Sequence, residues 1–497
     1  MTIMSPYWPA RQPARAYAAA LLALALLVAA AIALLPLPQL ALAGVAALAL
    51  GAIALTLAEP VVGLCIALVV APFAPLENIM LRLPVDSGQI MLAVTFAAWG
   101  LRALYVRRLD MSGARRGIAV GLLIFIAVAG LSFFAASSFD LWARETLKWV
   151  EVLLVYLIVS TETDRRKAGL IVGAILVSGL FQAGLGVYQF GLRGEGPDEF
   201  AILGGRFYRS YGAFEQPNPY GGYMGLIWPV ALGVALYGVS RRAYCVLRSA
   251  YCVVRIAYWV AGGVAALALA AVVLSWSRGA WLGAAAAGVA VLVVALRRPA
   301  ASLAALLAAG LLALTLNAAG LVPESIRVRL TDFTEQFSSF DVRGVNVNDA
   351  NYSVIERLAH WQAAQNMIVD RPWLGVGFGN YPAAYDQYRA MKWPNPLGHA
   401  HNYYLNVWAE TGLAGLAAYA LLWFIVIART VSLAARGDRS TFGPWLAVGL
   451  TGAWAHLSVH HLVDNLYVAN TFILIGVYLG LLDSVLARPS PSRLPAQ

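Results

Sequence analysis

The sequence predicts an all-α polytopic membrane protein with about 14 transmembrane helices. Hydrophobic residues make up 61% of the 497-residue chain, charged residues make up only 12%, and the mean hydropathy is +0.71. Soluble domains carry about 25% charged residues. Apolar runs of about 20 residues, each long enough to cross roughly 30 Å of hydrocarbon, recur along the whole chain. A β-barrel would instead show alternating apolar and polar residues.

The order of the apolar runs also predicts the topology. The predicted spans lie near 17–35, 40–58, 60–75, 90–106, 117–136, 146–160, 168–190, 218–238, 257–276, 279–296, 301–322, 403–428, 442–463 and 466–486. With a cytoplasmic N-terminus, one side of the membrane receives Arg11/Arg15, Arg102–Arg116, Arg165–Lys167, Arg241–Arg255, Arg297/Arg298, Arg429–Arg439 and Arg488/Arg493. Basic loops concentrate in the cytoplasm. Both termini are therefore predicted to be cytoplasmic, and the net charge of +10 is no sign of nucleic-acid binding.

Two insertions on the opposite, external side are long enough to carry chemistry. The first, 191–219, contains Arg206 and Arg209, and the second, 321–400, is a polar island in an apolar sequence. Within the island, Ser353–Asp370 predicts an amphipathic helix: Leu358, Trp361, Gln365 and Ile368 follow a spacing of three or four, and Arg371-Pro372 ends it. This helix either lies on the outer leaflet or caps the bundle.

The arginines in and beside the first insertion suit an anion. Arg278 stands in Ser275-Trp276-Ser277-Arg278-Gly279 between two spans with almost no loop, where an arginine is costly unless it is paired or faces water. Its planar fork matches a phosphate or diphosphate, although it could also snorkel to the headgroups. Arg206 and Arg209 precede a Gly/Pro-bent segment through Tyr211 and Asn218 that could complete an anion pocket, or they could be solvated loop charges.

The sequence Gly398-His399-Ala400-His401-Asn402 marks the other candidate centre, at the outer start of a span. Neutral imidazole is the side chain best placed to take a proton near pH 7, so His401 and His399 are candidate bases; the alternative is a structural role in capping the next helix. Glu410, about two turns on, could orient a partner. No metal is predicted, because histidines two apart suit one ion poorly on a helix and no external cysteine helps. No nucleotide cofactor is predicted either, because the glycine-rich 375–380 segment has no preceding strand and no Lys-Ser/Thr.

These motifs resemble a known family. His401-Asn402 followed by Gly412-x-x-Gly415 is similar to the signature of the bacterial O-antigen ligases. The stretch from Arg357-x-x-x-Trp361 to His399-Ala400-His401-Asn402 resembles the region shared by O-antigen ligases, O-antigen polymerases and protein O-oligosaccharyltransferases. So do Ser275–Gly279 and the segment from Arg209 to Asn218. The resemblance covers roughly 205–425 and divides the chain into N-terminal helices (1–204), a catalytic region (205–428, including the loop 321–400) and C-terminal helices with a short cytoplasmic tail (429–497).

The resemblance implies a membrane glycosyltransferase of the GT-C type that uses no metal or other cofactor. Its donor would be a glycan on undecaprenyl pyrophosphate, on the external face of the bacterial inner membrane. Residues corresponding to Arg278 and Arg209 would hold the diphosphate, and a histidine corresponding to His401 would deprotonate or orient an acceptor hydroxyl, so that the anomeric carbon inverts. The residue pattern itself adds Arg206 to the candidate diphosphate site and His399 to the candidate bases. Asn402, Glu410, Asn218 and Tyr211 would support the site.

The resemblance leaves two acceptors possible. One is a lipid A-core sugar, as in a ligase, and the other is a second lipid-linked glycan, as in an O-antigen or exopolysaccharide polymerase. Leu416 and Ala417 stand where some ligases have threonines, which leaves room for the polymerase. A lipid-linked glycan transporter is less favoured, because the polar cluster lies at the outer boundary rather than near the middle of the membrane.

Overall fold

A computed structural model of the chain describes residues 37–82, 85–106, 116–242, 251–331, 341–348 and 351–486. The predicted span 17–35 and parts of the basic segments Arg102–Arg116 and Arg241–Arg255 lie outside these ranges. The first described helices are α1 (Leu37–Ala58), α2 (Pro60–Val70), α3 (Ala74–Leu81), α4 (Ser87–Val106), α5 (Arg116–Leu131), α6 (Phe139–Glu162) and α7 (Arg165–Val187).

The remaining elements include one small hairpin and the region of the predicted site. The hairpin pairs β1 (Ala201–Ile202) antiparallel with β2 (Phe207–Tyr208). The helices that follow are α8 (Pro217–Arg242), α9 (Tyr251–Leu274), α10 (Arg278–Leu296), α11 (Pro299–Ala318), α12 (Glu324–Thr331), α13 (Tyr352–Asp370), α14 (Tyr381–Tyr388), α15 (Tyr403–Arg436), α16 (Phe442–His460) and α17 (Thr471–Leu486).

The prediction of an all-α polytopic membrane protein is confirmed. Within the described ranges, eight helical segments are long and apolar enough to cross a membrane: Pro60–Met80, Gly117–Ala135, Arg165–Leu192, Pro217–Ser240, Ile256–Leu274, Arg278–Leu296, Pro299–Ala318 and Tyr403–Arg436. Gly44–Ala58 and Thr471–Ser484 are shorter apolar helices. The predicted spans 90–106, 146–160 and 442–463 fall on α4, α6 and α16, which are helical but outside those eight.

Short polar side chains fix where several helices begin. Ser138, Asp164 and Ser277 accept hydrogen bonds from backbone N–H groups in the first turns of α6, α7 and α10. Such caps satisfy amides that have no partner inside the helix. The cap at Ser277 starts α10 immediately after α9, so the two spans meet in a turn of three residues that presents Arg278 at the boundary.

The core lies where α8 packs against α9 and α16. Helix α16 in turn packs against α10 and α15. Glycines allow these close approaches: a Cβ at Gly233 or Gly449 would press on the backbone of the facing helix, and one at Gly225 would collide with His456. By contrast, α11 is almost entirely exposed along its length, as expected for a helix that lipid surrounds.

The predicted helix in the second insertion exists and caps the bundle. Helix α13 packs on α15, and its apolar face, with Leu358, Ala359, Ala363 and Met367, is buried. One residue was assigned to the wrong face: Gln365 is exposed, because the buried face is centred on the alanines.

The long helix α15 changes direction at Gly412, whose φ of 66° and ψ of −171° are not helical. The N–H of Leu413 donates to the carbonyl of Pro372 at 2.8 Å, and a Cβ on Gly412 would collide with the backbone of Trp373. Only glycine combines a positive φ with so close a backbone approach. The Gly412-x-x-Gly415 motif therefore serves the docking of the 372–374 segment, and with it the placement of the first turns of α15.

Candidate functional site

The turn between α9 and α10 gathers two arginines from elsewhere in the chain. The Nε of Arg209 donates to the carbonyl of Ser275 at 3.1 Å, and an Nη of Arg329 donates to the carbonyl of Trp276 at 3.2 Å. Trp276 adopts a φ of 53°, rare for a bulky residue, and this left-handed conformation helps to turn the adjacent carbonyls towards the arginines. The turn thus holds two guanidinium groups that come from distant parts of the sequence.

Two further arginines meet on the first turn of α13. An Nη of Arg278 donates to the hydroxyl of Ser353 at 3.1 Å, and an Nη of Arg357 donates to the backbone carbonyl of the same serine at 2.7 Å. Because Arg278 directly follows the turn that holds Arg209 and Arg329, all four side chains form one group, called here the arginine cluster.

The arginines of the cluster are close enough for their charges to lower one another's pKa. Burial and, to a smaller extent, the charges of Arg329, Arg357 and Arg278 in that order lower the pKa of Arg209 to about 9. The hydrogen bonds of Arg209 go to two neutral acceptors, the carbonyl of Ser275 and the side-chain oxygen of Asn218. Arg209 stays charged near neutral pH, so the cluster concentrates positive charge in a largely buried place, where an anion with several oxygens would relieve the repulsion.

A second group, called here the histidine–aspartate group, lies beside the first. Nε2 of His399 and Nδ1 of His401 are each 3.7 Å from the same oxygen, Oδ1 of Asp464. The Nε of Arg357 donates to the carbonyl of Val463 at 3.3 Å. Burial lowers the pKa of Arg357, and the negative charge of Asp464 partly offsets that shift. Arg357 therefore connects the arginine cluster to this group.

The protonation states of the histidine–aspartate group follow from its surroundings. Burial alone raises the pKa of Asp464, but the interactions with His401 and His399 outweigh it and hold the pKa well below its ordinary value. Burial, with the charge of His401, lowers the pKa of His399 to about 4. Near neutral pH the group thus has an ionised carboxylate and a neutral His399.

Hydrogen bonding also indicates where the proton of His399 sits. The backbone N–H of His401 donates to Nδ1 of His399 at 3.0 Å, so the neutral ring carries its proton on Nε2, the atom that faces Asp464. His399 accordingly has both of its nitrogens committed inside the group, while His401 does not.

His401 is held in an unusual conformation, and its ring nitrogens have no hydrogen-bond partner among the described residues. Its φ is 51°, its carbonyl accepts from Nε1 of Trp361 at 3.3 Å, and its ring packs edge-on against the rings of His360 and His399. Both of its ring nitrogens are buried and make no hydrogen bond within the described residues. A proton on Nδ1 would face the carboxylate of Asp464, which leaves Nε2 able to accept one.

Comparison with known families finds a match to the part of the chain that contains most members of both groups. Residues 263–420 match the family model described as O-Antigen ligase. This match supports the resemblance of the region to the O-antigen ligase superfamily. No curated protein matches the chain. Together with the apolar helices, the family identifies a bacterial membrane protein with a ligase-like role in polysaccharide biosynthesis.

Most of the predicted site residues lie inside the matched region or contact it. Arg278 lies inside the matched region and in the arginine cluster, and His399 and His401 lie inside it and in the histidine–aspartate group. Arg209 precedes the matched region but reaches the same cluster, with Asn218 as a hydrogen-bond partner.

The structure does not bring the remaining predicted residues of the first insertion into the arginine cluster. Arg206 is exposed in the turn of the β1–β2 hairpin, where its guanidinium lies over the ring of Phe207 at 5.5 Å. The hydroxyl of Tyr211 accepts from an Nη of Arg193 at 3.3 Å, and its ring packs on Phe200.

Asn402 and Glu410 have structural contacts near the histidine–aspartate group. The side-chain oxygen of Asn402 accepts from the N–H groups of Tyr404 and Leu405, so Asn402 caps α15. The carboxylate of Glu410 is buried and accepts from the N–H of Tyr381 at 3.0 Å. Glu410 thus anchors the glycine-rich turn 375–380, which has a positive φ at all three of its glycines.

Three members of the two groups were not assigned a role from the sequence. Arg329 and Arg357 are ordinary charges in a polar loop, and only the packing of α12 and α13 brings them to the 275–278 turn. Asp464 is a carboxylate beside His460 and His461 at the outer end of a predicted span, and nothing in its spacing connects it to His401. The Arg357-x-x-x-Trp361 pattern was the available signal, since both residues contact the site.

His399, His401 and Asp464 each offer one atom that could bind a metal ion, and these three atoms lie within 4.8 Å of one another. Two imidazoles and one carboxylate are acceptable zinc ligands. The donor set alone therefore does not separate a metal centre from a histidine–carboxylate base, and a chelation experiment does so below.

Proposed function

We propose that this protein transfers a glycan from undecaprenyl pyrophosphate to an acceptor hydroxyl on the outer side of the bacterial inner membrane, as an O-antigen ligase does in lipopolysaccharide synthesis. The observation that carries the proposal is the adjacency of the two groups: Arg357 contacts Ser353, which also binds Arg278, and Val463, which precedes Asp464. A site for a leaving diphosphate and a base for an alcohol thus stand side by side.

In the proposed reaction the arginine cluster binds the diphosphate through bidentate hydrogen bonds. Negative charge builds on the diphosphate as the bond between its oxygen and the anomeric carbon breaks, and fixed guanidinium groups stabilise that charge without reorganising. This assignment favours Arg278, Arg209, Arg329 and Arg357 over Arg206, whose side chain is elsewhere.

The acceptor hydroxyl loses its proton to Nε2 of His401 as its oxygen forms the new bond to the anomeric carbon. Asp464 keeps the other nitrogen protonated and stabilises the imidazolium that results, which is the role a carboxylate plays beside a catalytic histidine. Attack from the face opposite the diphosphate inverts the anomeric carbon. No metal or other cofactor takes part in these steps.

The deciding experiment is transfer by the purified full-length protein in lipid nanodiscs. Lipid-linked glycan extracted from the source bacterium is incubated with its lipid A-core, and the product is analysed by mass spectrometry and gel mobility. Formation of glycan-bearing lipid A-core, unaffected by EDTA, is the expected result. Inhibition by EDTA that zinc reverses would instead support a metal centre at His399, His401 and Asp464.

A polymerase is the second candidate, because Leu416 and Ala417 depart from the threonines that follow the Gly-x-x-Gly motif in some ligases. The same assay separates the two, since a polymerase joins two lipid-linked glycans when no lipid A-core is present. If correctly folded protein transfers glycan to neither acceptor, the proposal is wrong.

A further inference from the structure

A cavity beside the ligase site has chemistry that the proposed steps do not use. Its volume is about 230 Å³, and it lies between the start of α13 and the 392–395 segment. Pockets for drug-sized ligands run from roughly 300 to 1,000 Å³, so this cavity suits a smaller group, of the size of a sugar ring.

Two aromatic rings form the apolar part of the cavity. The rings of Tyr352 and Trp393 lie 5.2 Å apart and are inclined at 56°, so they form a corner rather than a flat surface. Trp393 is only 7% exposed and belongs to the small core under α13, whereas Tyr352 is 49% exposed. A fixed tryptophan edge and an accessible tyrosine ring together offer an apolar wall with a polar tip.

Polar groups complete the lining. Glu356 lies one turn after Tyr352 on α13, and one oxygen of its carboxylate accepts from the tyrosine hydroxyl at 3.2 Å. Lys392 and Asn395 line the cavity from the facing segment, and both are exposed. A carboxylate, an ammonium and an amide around two rings provide hydrogen-bond acceptors and donors at the rim of an apolar corner.

The cavity is next to the arginine cluster. Ser353 and Arg357, which bind within the cluster, each follow by one residue a wall residue of the cavity, Tyr352 or Glu356. Consecutive residues of an α-helix are separated by about 100° around its axis, so the two sites occupy adjacent faces of α13. The carboxylate of Glu356 also acts electrostatically on Arg357. A molecule bound at the cluster can therefore extend into the cavity.

We propose that this cavity binds one sugar residue of the glycan that the protein transfers or extends. The ligand that fits has apolar C–H faces for the Tyr352–Trp393 corner and several hydroxyl or amide groups for Glu356, Lys392 and Asn395, which describes a pyranose. A lipid phosphate fits less well, because Glu356 repels it. The inference rests on the proposed function, and the glycan can belong to the donor or to the acceptor.

Steady-state transfer kinetics of the full-length protein in nanodiscs test the proposal, with the lipid-linked glycan and the acceptor varied separately. Tyr352→Ala and Glu356→Gln should each raise KM for one of the two substrates by about tenfold, the loss expected for a hydrogen bond to a charged group or a stacked ring. Tyr352→Phe keeps the ring and should retain most of the affinity. The substrate whose KM rises identifies whether the donor or the acceptor glycan occupies the cavity.

The matched control is Asp386→Asn, which removes a carboxylate that is 82% exposed in the same insertion but is not among the residues that line the cavity. It should leave both KM values unchanged. All the substituted side chains are at least partly exposed, and equal thermal unfolding temperatures would show that the variants fold. Unchanged KM values for both substrates in Tyr352→Ala and Glu356→Gln would overturn the proposal.

A binding measurement keeps the inference separable from the proposed function. Polysaccharide released by mild acid from the lipid-linked glycan should change the fluorescence of the wild-type protein, since Trp393 lines the cavity, and should change that of Tyr352→Ala much less. Binding by a wild-type protein that shows no transfer would support the sugar site and refute the glycosyltransferase. Transfer by the wild type with identical glycan titrations for wild type and Tyr352→Ala would refute the sugar site alone.

Discussion

Nδ1 of His401 lies 3.7 Å from Oδ1 of Asp464, although the two residues belong to distant segments of the chain. The link that positions them is a backbone hydrogen bond, from the N–H of Tyr403 to the carbonyl of His461 at 2.8 Å, which joins the start of α15 to the segment after α16. The two side chains thus come together because this bond fixes the segment that leads to Asp464 against the start of α15.

The first prediction separates the two histidines. His401→Ala should lower kcat for transfer by about 10²–10⁴-fold, the usual contribution of a general base, with little effect on KM for the donor. His399→Ala should be milder, because both nitrogens of His399 are engaged within the group. Equal activity of His401→Ala and wild type would refute the assignment of the base.

His401→Gln refines that test. A glutamine can donate or accept a hydrogen bond but cannot take a proton near pH 7, so it should be as inactive as His401→Ala if proton removal is the role of the ring. Substantial activity in His401→Gln would show that the ring only orients the acceptor.

The second prediction concerns Asp464, a positioning residue. Asp464→Asn removes the charge that orients His401, so kcat should fall by about 10²-fold or more while both KM values change little. The pH–rate profile should also change, because the histidine loses its neighbouring carboxylate. If the pH–rate profile keeps its shape and the variant only yields less folded protein, Asp464 has a structural role.

The fold was largely predictable from the sequence, because lipid imposes strong constraints on it. Continuous apolar runs gave the helices, and Arg371-Pro372 marked the end of α13, since proline lacks the N–H that a continuing helix requires. Gln365 was misplaced because alanines contribute weakly to an apolar pattern, yet Ala359 and Ala363 form the centre of the buried face.

The site was only partly predictable. Arg278 and His401 stand out because a charge or an imidazole at a membrane boundary needs a reason, and the family motifs coincide with both. Arg329, Arg357 and Asp464 could not be assigned, because their roles depend on which helices touch. A polar loop contains many arginines, and their spacing does not show which of them lie near Trp276 in the folded protein.

The third prediction tests the arginine cluster. Arg278→Ala should strongly reduce transfer, and Arg278→Lys should be clearly impaired, because lysine keeps the charge but loses the bidentate fork. Arg206→Ala is the matched control: it removes an arginine from the first insertion whose side chain is outside the cluster, and it should be close to wild type. Transfer at the wild-type rate by Arg278→Ala would show that this arginine only reaches the headgroups.

The fourth prediction concerns the break in α15. Gly412→Ala forces a Cβ into the backbone of Trp373 at a positive φ, so it should destabilise the protein by about 1–3 kcal/mol and reduce transfer by moving the first turns of α15. Gly310→Ala in α11 is the control, since nothing lies near the added methyl group. Thermal unfolding in detergent compares the two, and equal unfolding temperatures would contradict the structural role of the motif.

The fifth prediction follows from the buried His399. Its pKa falls from the ordinary 6.5 to about 4, chiefly through burial and secondly through the charge of His401. The folded state thus resists protonation that the unfolded state accepts, and the unfolded state binds more protons between these two values. The stability gained from a neutral His399 is therefore complete above pH 6.5 and is lost as the pH falls towards 4. His399→Gln does not titrate in this range, so the unfolding temperature of the wild type should drop more steeply between pH 7.5 and pH 5 than that of the variant. Parallel curves for the two proteins would mean that His399 is protonated as easily in the fold as in water, and would contradict the neutral, Nε2-protonated ring on which the separate role of His401 depends.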